Sequence, residues 1–299
     1  MSSDPLLSIK TSMLSETFAM THTYPRVLSI AGSDSGGGAG VQADLKTFCA
    51  IGVYGMTALT ALTAQNTQGV QAIHAIPSAF LKAQLESIGD DIGVDAVKIG
   101  MLHTPQMVEV VAWAIDHFQW QKVILDPVMV ATSGDRLINE ETSDTIIKDL
   151  FPRVSLITPN LDEAAVLLGM SPRDEEALIK AAWQLQAMGA KGVLVKGGHL
   201  EGPEVMDVYL SAEKEVQVFK SPRIQSLNVH GTGCTLSSAI AAFVAKGVSL
   251  EHAIEKGKAF IAQAIEHGKD VKTGGLGGTY AHGPLNHGFA PMKMDKKAN

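Results

Sequence analysis

Asn228-Val229-His230-Gly231-Thr232-Gly233-Cys234-Thr235-Leu236-Ser237-Ser238 runs without a break into Ala239-Ile240-Ala241-Ala242-Phe243-Val244-Ala245. A polar, glycine-punctuated turn thus opens into a helix of small apolar residues. Gly231 and Gly233 carry no Cβ, so the backbone is free to take unusual angles and approach a ligand closely. Thr232, Cys234 and Thr235 then fall on the first helical turn. There, several N–H groups lack carbonyl partners and the helix dipole presents partial positive charge. Such an end suits an anion, a phosphate above all. The stretch also reads as an ordinary Thr-capped loop before a core helix, so the rest of the chain has to decide.

Upstream, the pattern is rhythmic. Val27 to Ala31 is a short apolar run ended by Gly32, a buried strand. The glycine-rich turn from Gly32 to Gly40 leads to a helix with Val41, Leu45 and Phe48 on one face. Gly55–Ala64 and Val70–Ile76 read as strands, and Pro77-Ser78 opens a helix with Phe80, Leu81, Leu85 and Ile88 inward. Ala96–Ile99 and Lys122–Leu125 are strands on either side of a helix that starts at Pro105. Val154–Ile157 precedes a helix with Ala164, Leu167 and Leu168. An amphipathic segment, Pro172–Met188, leads to the strand Gly192–Lys196, and Val205–Leu210 with Glu215–Phe219 predicts an antiparallel hairpin. A last helix spans Leu250–His267. Short apolar strands alternating with helices predict an α/β fold with a largely parallel sheet covered on both faces. Ligands of such sheets bind at the carboxyl ends of the strands. Every polar cluster below follows directly after a strand.

With 299 residues, 45% hydrophobic, the chain can bury a sizeable core. Its net charge of -7, without a basic run, argues against nucleic acid as a partner. Two cysteines, Cys49 and Cys234, make no disulfide framework, which favours a reducing, cytoplasmic setting. No apolar run is long enough for a membrane. Residues 1–24 are expected to be a disordered extension, with Met20 as an alternative start, and 291–299 a flexible tail. There is no Gly-x-x-x-x-Gly-Lys-[Ser/Thr], no Gly-x-Gly-x-x-Gly after the first strand and no Gly-x-Ser-x-Gly elbow.

Asp34 and Asp44 flank the first glycine-rich turn. Asp34 reads as a loop cap, whereas Asp44 sits beside apolar positions and needs a ligand or a buried partner. Gln65 and Asn66 end the second strand, where an amide suits the edge of a heteroaromatic ring. Asp126 closes another strand, with Ser133-Gly134-Asp135 close behind. Asn160 and Glu163 lie three apart, a spacing that fits either a hydrated Mg²⁺ or a capping box. Lys196, at a strand end beside Gly197 and Gly198, is placed to reach a phosphate as a point charge.

Taken together, Ala31–Asp34, Gly37–Phe48, Thr63–Thr67, Lys98–Leu102, Leu125–Met129, Ser133–Asp135, Thr158–Ala164, Lys196–His199 and His230–Thr235 resemble, in order, the hydroxymethylpyrimidine/phosphomethylpyrimidine kinases of the ribokinase-like superfamily. The likeness spans about Arg26 to His287. It implies a three-layer α/β/α fold over 25–290 as one kinase domain, with little or no separate lid domain, and a homodimer. It also implies ATP-dependent phosphorylation of 4-amino-5-hydroxymethyl-2-methylpyrimidine and then of its monophosphate, in thiamine biosynthesis. By the same resemblance, Gly32, Asp44, Thr63 and Gln65 hold the pyrimidine. Lys196, Asn160 and Thr232 serve ATP. Asn160 and Glu163 hold Mg²⁺ through water, with Asp126 as a further candidate ligand. Gly231, Thr232 and Gly233 form the anion hole, and Cys234 faces the acceptor oxygen. Some relatives with the same Gly-Thr-Gly-Cys ending accept pyridoxal or pyridoxine, which makes B6-vitamin kinase the alternative. A helix N-terminus lowers a thiol's pKa, so Cys234 is a candidate thiolate base.

Overall fold

The computed structural model describes residues 22–129, 138–275 and 282–298. Positions up to 21 of the expected extension over 1–24, and the Ser133–Asp135 loop, lie outside them, whereas His22–Thr23 forms a paired strand instead of a disordered end. In chain order the elements are β1 (His22–Thr23), β2 (Arg26–Asp34), α1 (Gly40–Ile51), β3 (Tyr54–Asn66), β4 (Gly69–Ala75), α2 (Ser78–Asp91), β5 (Ala96–Ile99), α3 (Pro105–His117) and β6 (Val123–Leu125). There follow α4 (Glu140–Thr145) with a π-helical turn at Ile146–Leu150, β7 (Leu156–Ile157), α5 (Leu161–Leu168), α6 (Glu175–Ala187), β8 (Val193–Lys196), β9 (Glu204–Leu210), β10 (Val216–Pro222), α7 (Thr232–Ala245), α8 (Leu250–Glu266) and β11 (Lys297–Ala298).

Nine of these strands form one mixed sheet in the order β10-β9-β8-β7-β6-β5-β2-β3-β4. The six from β8 to β3 are parallel, and antiparallel β4 and the β9–β10 hairpin close the two edges. Alternation along each strand divides the interior in two. Leu28, Ile30, Val97, Ile99, Val123 and Leu125 face α2, α3, the 138–154 region and α6. Val27, Ala96, Ile124, Leu156 and Leu194 face α1, α7 and α8. The result is the expected three-layer α/β/α sandwich. Among the described residues no helix is long and apolar enough to cross a membrane.

Helix α7 is buried all along Thr235–Ala245. Its alanines and serines let it lie close to α1, α8 and the sheet, as a helix that is apolar all round must. Two inward assignments differ from the pattern. Phe80 is 60% exposed, because α2 turns only Leu81 and Leu85 fully into the core, and Leu45 is 38% exposed along the rim of α1. The α4 helix has no sequence expectation behind it. Its Glu-Glu-Thr-Ser-Asp-Thr run lacks apolar spacing, and the Asn139 side chain starts it by accepting the Thr142 N–H at 2.8 Å.

The segment 291–298, expected to be a loose tail, is tied along the sheet's N-terminal edge. Met292 N–H donates to Ala50, Asp295 pairs with Lys246 at 2.9 Å, and β11 pairs antiparallel with β1.

Candidate active site

A cavity of about 900 Å³ opens at the carboxyl ends of the parallel strands. Gly32, Thr63, Gln65, Asp126, Asn160, Glu163, Lys196, Gly231, Thr232, Gly233 and Cys234 all line it. Of the described residues expected at the site, Asp44 and Asn66 are not in its wall.

The centre is the turn before α7. Gly231 is the N-cap, with φ 82°, a left-handed conformation that a side chain resists. The Asp34 carboxylate organises the facing turn after β2. It accepts from the N–H groups of Gly36 (2.8 Å), Gly38 (3.1 Å) and Ala39 (2.8 Å), and His230 Nε2 lies 2.9 Å away. Burial alone would raise this carboxyl's pKa, but His230 and the Ala39 and Gly36 amides outweigh it and hold it below the usual value. The two glycine-rich turns are therefore joined through one carboxylate. Gln65 Nε2 comes within 3.4 Å of the same His230 nitrogen, and Thr63 Oγ1 donates to the Ser33 carbonyl at 2.9 Å. The outer ends of β3 and β4 thereby form a wall of the cavity with no separate domain.

Asp44 lies under the floor. It is fully buried and takes two bonds from Lys98 Nζ, at 2.9 and 3.0 Å, one from Ser29 Oγ at 2.5 Å and one from Ser238 Oγ at 2.7 Å. The expectation that Asp44 touches the ring gives way to the buried-partner reading. All its strong acceptor positions are used by protein groups. Lys98 had no expected role. Its signal was a lysine in the middle of the apolar run Ala96-Val97-Lys98-Ile99, which is tolerated only opposite a buried anion. Burial opposes its charge, but Asp44, Cys234 and Asp126 outweigh that, so its pKa is raised and the ammonium persists.

On the other side, Lys196 Nζ donates to Asp126 Oδ1 at 2.7 Å, and Thr158 Oγ1 donates to the same oxygen at 2.9 Å. A Cβ added to Gly233 would lie 3.2 Å from Lys196 Nζ, so the lysine reaches the mouth of α7. Burial would raise the pKa of Asp126, but Lys196 and Lys98 pull it below the usual value. The two possibilities for Asn160 and Glu163 resolve locally into a capping box: Asn160 N–H donates to Glu163 Oε2 at 2.8 Å and Glu163 N–H to Asn160 Oδ1 at 2.9 Å. Both side chains still line the cavity. Burial pushes the Glu163 carboxyl up to about 8, against the pull of Lys196. Lys196 thus serves Asp126, and the buried Glu163 carboxyl beside them is held in its neutral form.

Cys234 departs from the thiolate expectation. Burial pushes its thiol up to about 11, although Lys98 pulls it down and the Gly40 N–H favours the anion. Desolvation of a thiolate here costs more than the helix end returns, so the thiol is the resting form. Farther along the cavity, Val205, Arg223, Ile224 and Ile261 offer apolar and basic surface beyond Lys196. Asp207 at that end is buried, takes the Gly197 N–H at 2.9 Å and pairs with Lys258. No expectation covered this pair, because neither residue stands in a distinctive motif.

The Phosphomethylpyrimidine kinase family profile matches residues 34–280. The hydroxymethylpyrimidine/phosphomethylpyrimidine kinase of Rhizobium meliloti is 44% identical over 261 residues, covering 87% of this chain and 96% of the relative. The thiamine biosynthesis bifunctional protein ThiED of Geobacter sulfurreducens is 43% identical over 266 residues, 88% of this chain. The chain spans about half of that longer relative, 53%. Among solved structures, the pyridoxal kinase of Bacillus subtilis, in an ADP complex, superimposes with a TM-score of 0.80 at 39% identity, covering 89% of this chain and 98% of the other. Matched over most of its length in sequence and fold, the chain belongs to the hydroxymethylpyrimidine/phosphomethylpyrimidine kinase family, with a ribokinase-like fold.

Proposed function

We propose that this chain transfers the γ-phosphoryl of ATP to the hydroxymethyl group of 4-amino-5-hydroxymethyl-2-methylpyrimidine, and a second one to the resulting monophosphate, supplying the pyrophosphate for thiamine biosynthesis. One observation carries the reading. The amide-lined mouth of α7 opens into a single cavity between Gly32, Thr63 and Gln65 on one side and Lys196 and Asn160 on the other. Phosphoryl transfer asks mainly for positioning and charge neutralisation, and that geometry supports both.

In this reading the 25–290 domain works as follows. Gly32, Thr63 and Gln65 hold the pyrimidine, with Asp44 acting from beneath by anchoring Lys98. Thr232 and Asn160 hold the nucleotide phosphates, and Lys196 neutralises the migrating group. The amides of Gly231 to Gly233 receive its developing charge. Cys234 faces the acceptor hydroxyl and takes its proton in the first step, which requires the thiol to be deprotonated beforehand. The monophosphate is already anionic and needs no base in the second step.

The residues around Lys196 fit a hard divalent cation, since a bound ion would supply the positive charge that the buried Glu163 carboxyl lacks while Lys196 pairs with Asp126. Asn160 and Glu163 would hold Mg²⁺ through water, with Asp126 as a further ligand. When bound, the ion would neutralise phosphate oxygens.

The B6-vitamin kinase reading draws on the Bacillus subtilis likeness. The higher identity to the Rhizobium meliloti kinase, over nearly all of that protein, favours the pyrimidine. The deciding experiment measures ATP-dependent transfer to hydroxymethylpyrimidine, its monophosphate and pyridoxal side by side. The proposal expects the two pyrimidines to be used best. A larger kcat/KM on pyridoxal would overturn it.

A further inference from the structure

The chain beyond α8 reaches the phosphate-binding turn from behind. Gly283 accepts the His230 N–H at 3.2 Å and donates its own N–H to Leu227 at 3.3 Å, while Asn286 N–H donates to Ala264 at 3.1 Å. The Phe289 ring stacks on His267, with centroids 5.6 Å apart and planes at 1°. These contacts deliver His287, itself buried, onto α7, where its Nε2 lies 2.9 Å from Thr235 Oγ1.

Thr235 directly follows Cys234, is fully buried and is not part of the cavity wall. His287 therefore touches no ligand. The Nε2–Oγ1 contact joins the two side chains whichever of them donates. Burial, reinforced by Lys46, pushes this histidine down to about 4, so the ring is neutral near neutral pH. A helical threonine usually turns its hydroxyl back onto the carbonyl four residues earlier. Here the hydroxyl is drawn to His287, and the Gly231 carbonyl takes the Thr235 N–H at 2.9 Å.

We propose that His287 is a positioning residue for phosphoryl transfer: through its hydrogen bond with the Thr235 hydroxyl it fixes the first turn of α7, and with it the directions of the Thr232, Gly233 and Cys234 amides. The kinase reading above supplies what those amides bind, while the coupling of His287 to the turn stands on the contacts themselves. Misaimed donors weaken a transition state more than a ground state. The loss therefore falls on kcat and spares KM.

The experiment uses the full chain in a Cys49→Ser background, which removes the other free thiol, exposed on α1. Thr235→Val, Thr235→Ser, His287→Leu and the Thr235→Val/His287→Leu double variant are compared with the parent. The readouts are kcat, KM and the rate of Cys234 alkylation by iodoacetamide. Each of the Val and Leu variants is expected to lose about tenfold in kcat with KM held within about twofold, and the double variant to lose no more. Thr235→Ser, which keeps the hydroxyl, should match the parent. The alkylation rate should shift equally in both single variants and the double. Losses that multiply in the double variant, or a Thr235→Val protein with parental kcat and alkylation rate, overturn the assignment. If the parent itself transfers no phosphoryl group, the kinase reading fails, and the alkylation rates alone decide the coupling.

Discussion

Gly231 packs against Gly38 so closely that a Cβ on Gly231 would fall on the Gly38 carbonyl oxygen. Two turns separated by almost two hundred residues are thus fitted to each other with no space for a methyl group. Gly231 also holds φ 82°, so alanine there is strained as well as obstructed. Gly231→Ala should therefore lower kcat/KM by at least about 100-fold, the scale of a lost oxyanion donor. Steady-state kinetics on the pyrimidine checks this, and parental turnover would show that the turn tolerates displacement.

Lys98 and Asp44 should behave as one unit in stability. Removing the ammonium alone leaves a carboxylate uncompensated in a fully buried site, a loss of about 3–5 kcal/mol. Lys98→Met is expected to show that loss in urea unfolding. Lys98→Met/Asp44→Asn should recover part of it, because no buried charge remains. A double variant as unstable as the sum of both singles would refute the pairing.

The two phosphoryl transfers should respond differently to Cys234 and to pH. The thiolate fraction rises about tenfold per pH unit below the thiol's value of about 11. The rate of the first transfer is therefore expected to climb from pH 7 to 9, while the second carries no such slope. Cys234→Ala should remove the climb and impair the first step more than the second. Equal losses in both steps would dismiss the thiol as a base.

His287 should leave a mark on acid stability. A histidine is ordinarily protonated below about 6.5, yet in the fold this one takes a proton only near 4. As pH falls between those values the unfolded chain binds a proton that the folded chain refuses. Stability is thus complete above about 6.5 and is lost towards 4, by about 3 kcal/mol over the window. Melting temperature against pH should slope less steeply across that window in His287→Gln. An unchanged slope would contradict a buried, neutral ring.

The alternation of short apolar strands with helices made the layers legible, because each β/α repeat writes its own period into the sequence. The cavity wall was legible too, since Gly32, Gln65, Asp126, Asn160, Lys196 and Gly231 each end a strand or open a helix. What escaped depends on partners far along the chain. Asp44 announced that it needed a buried partner, but nothing local named Lys98, 54 residues away. The thiol of Cys234 was misjudged because the helix end is local whereas its burial is made by the whole fold. Helix α4 was missed because an Asn cap, not apolar spacing, starts it.

The pairing of β1 with β11 lies at the amino-terminal edge of the sheet, with the ligand cavity at the opposite edge. Spectroscopic labels attached at Thr23 and Lys297, which stand opposite each other, would sit side by side and report unfolding as a separation. Because that clasp and the cavity lie at opposite ends of the strands, such a reporter stands clear of the cavity, and stability can be followed beside activity in one sample.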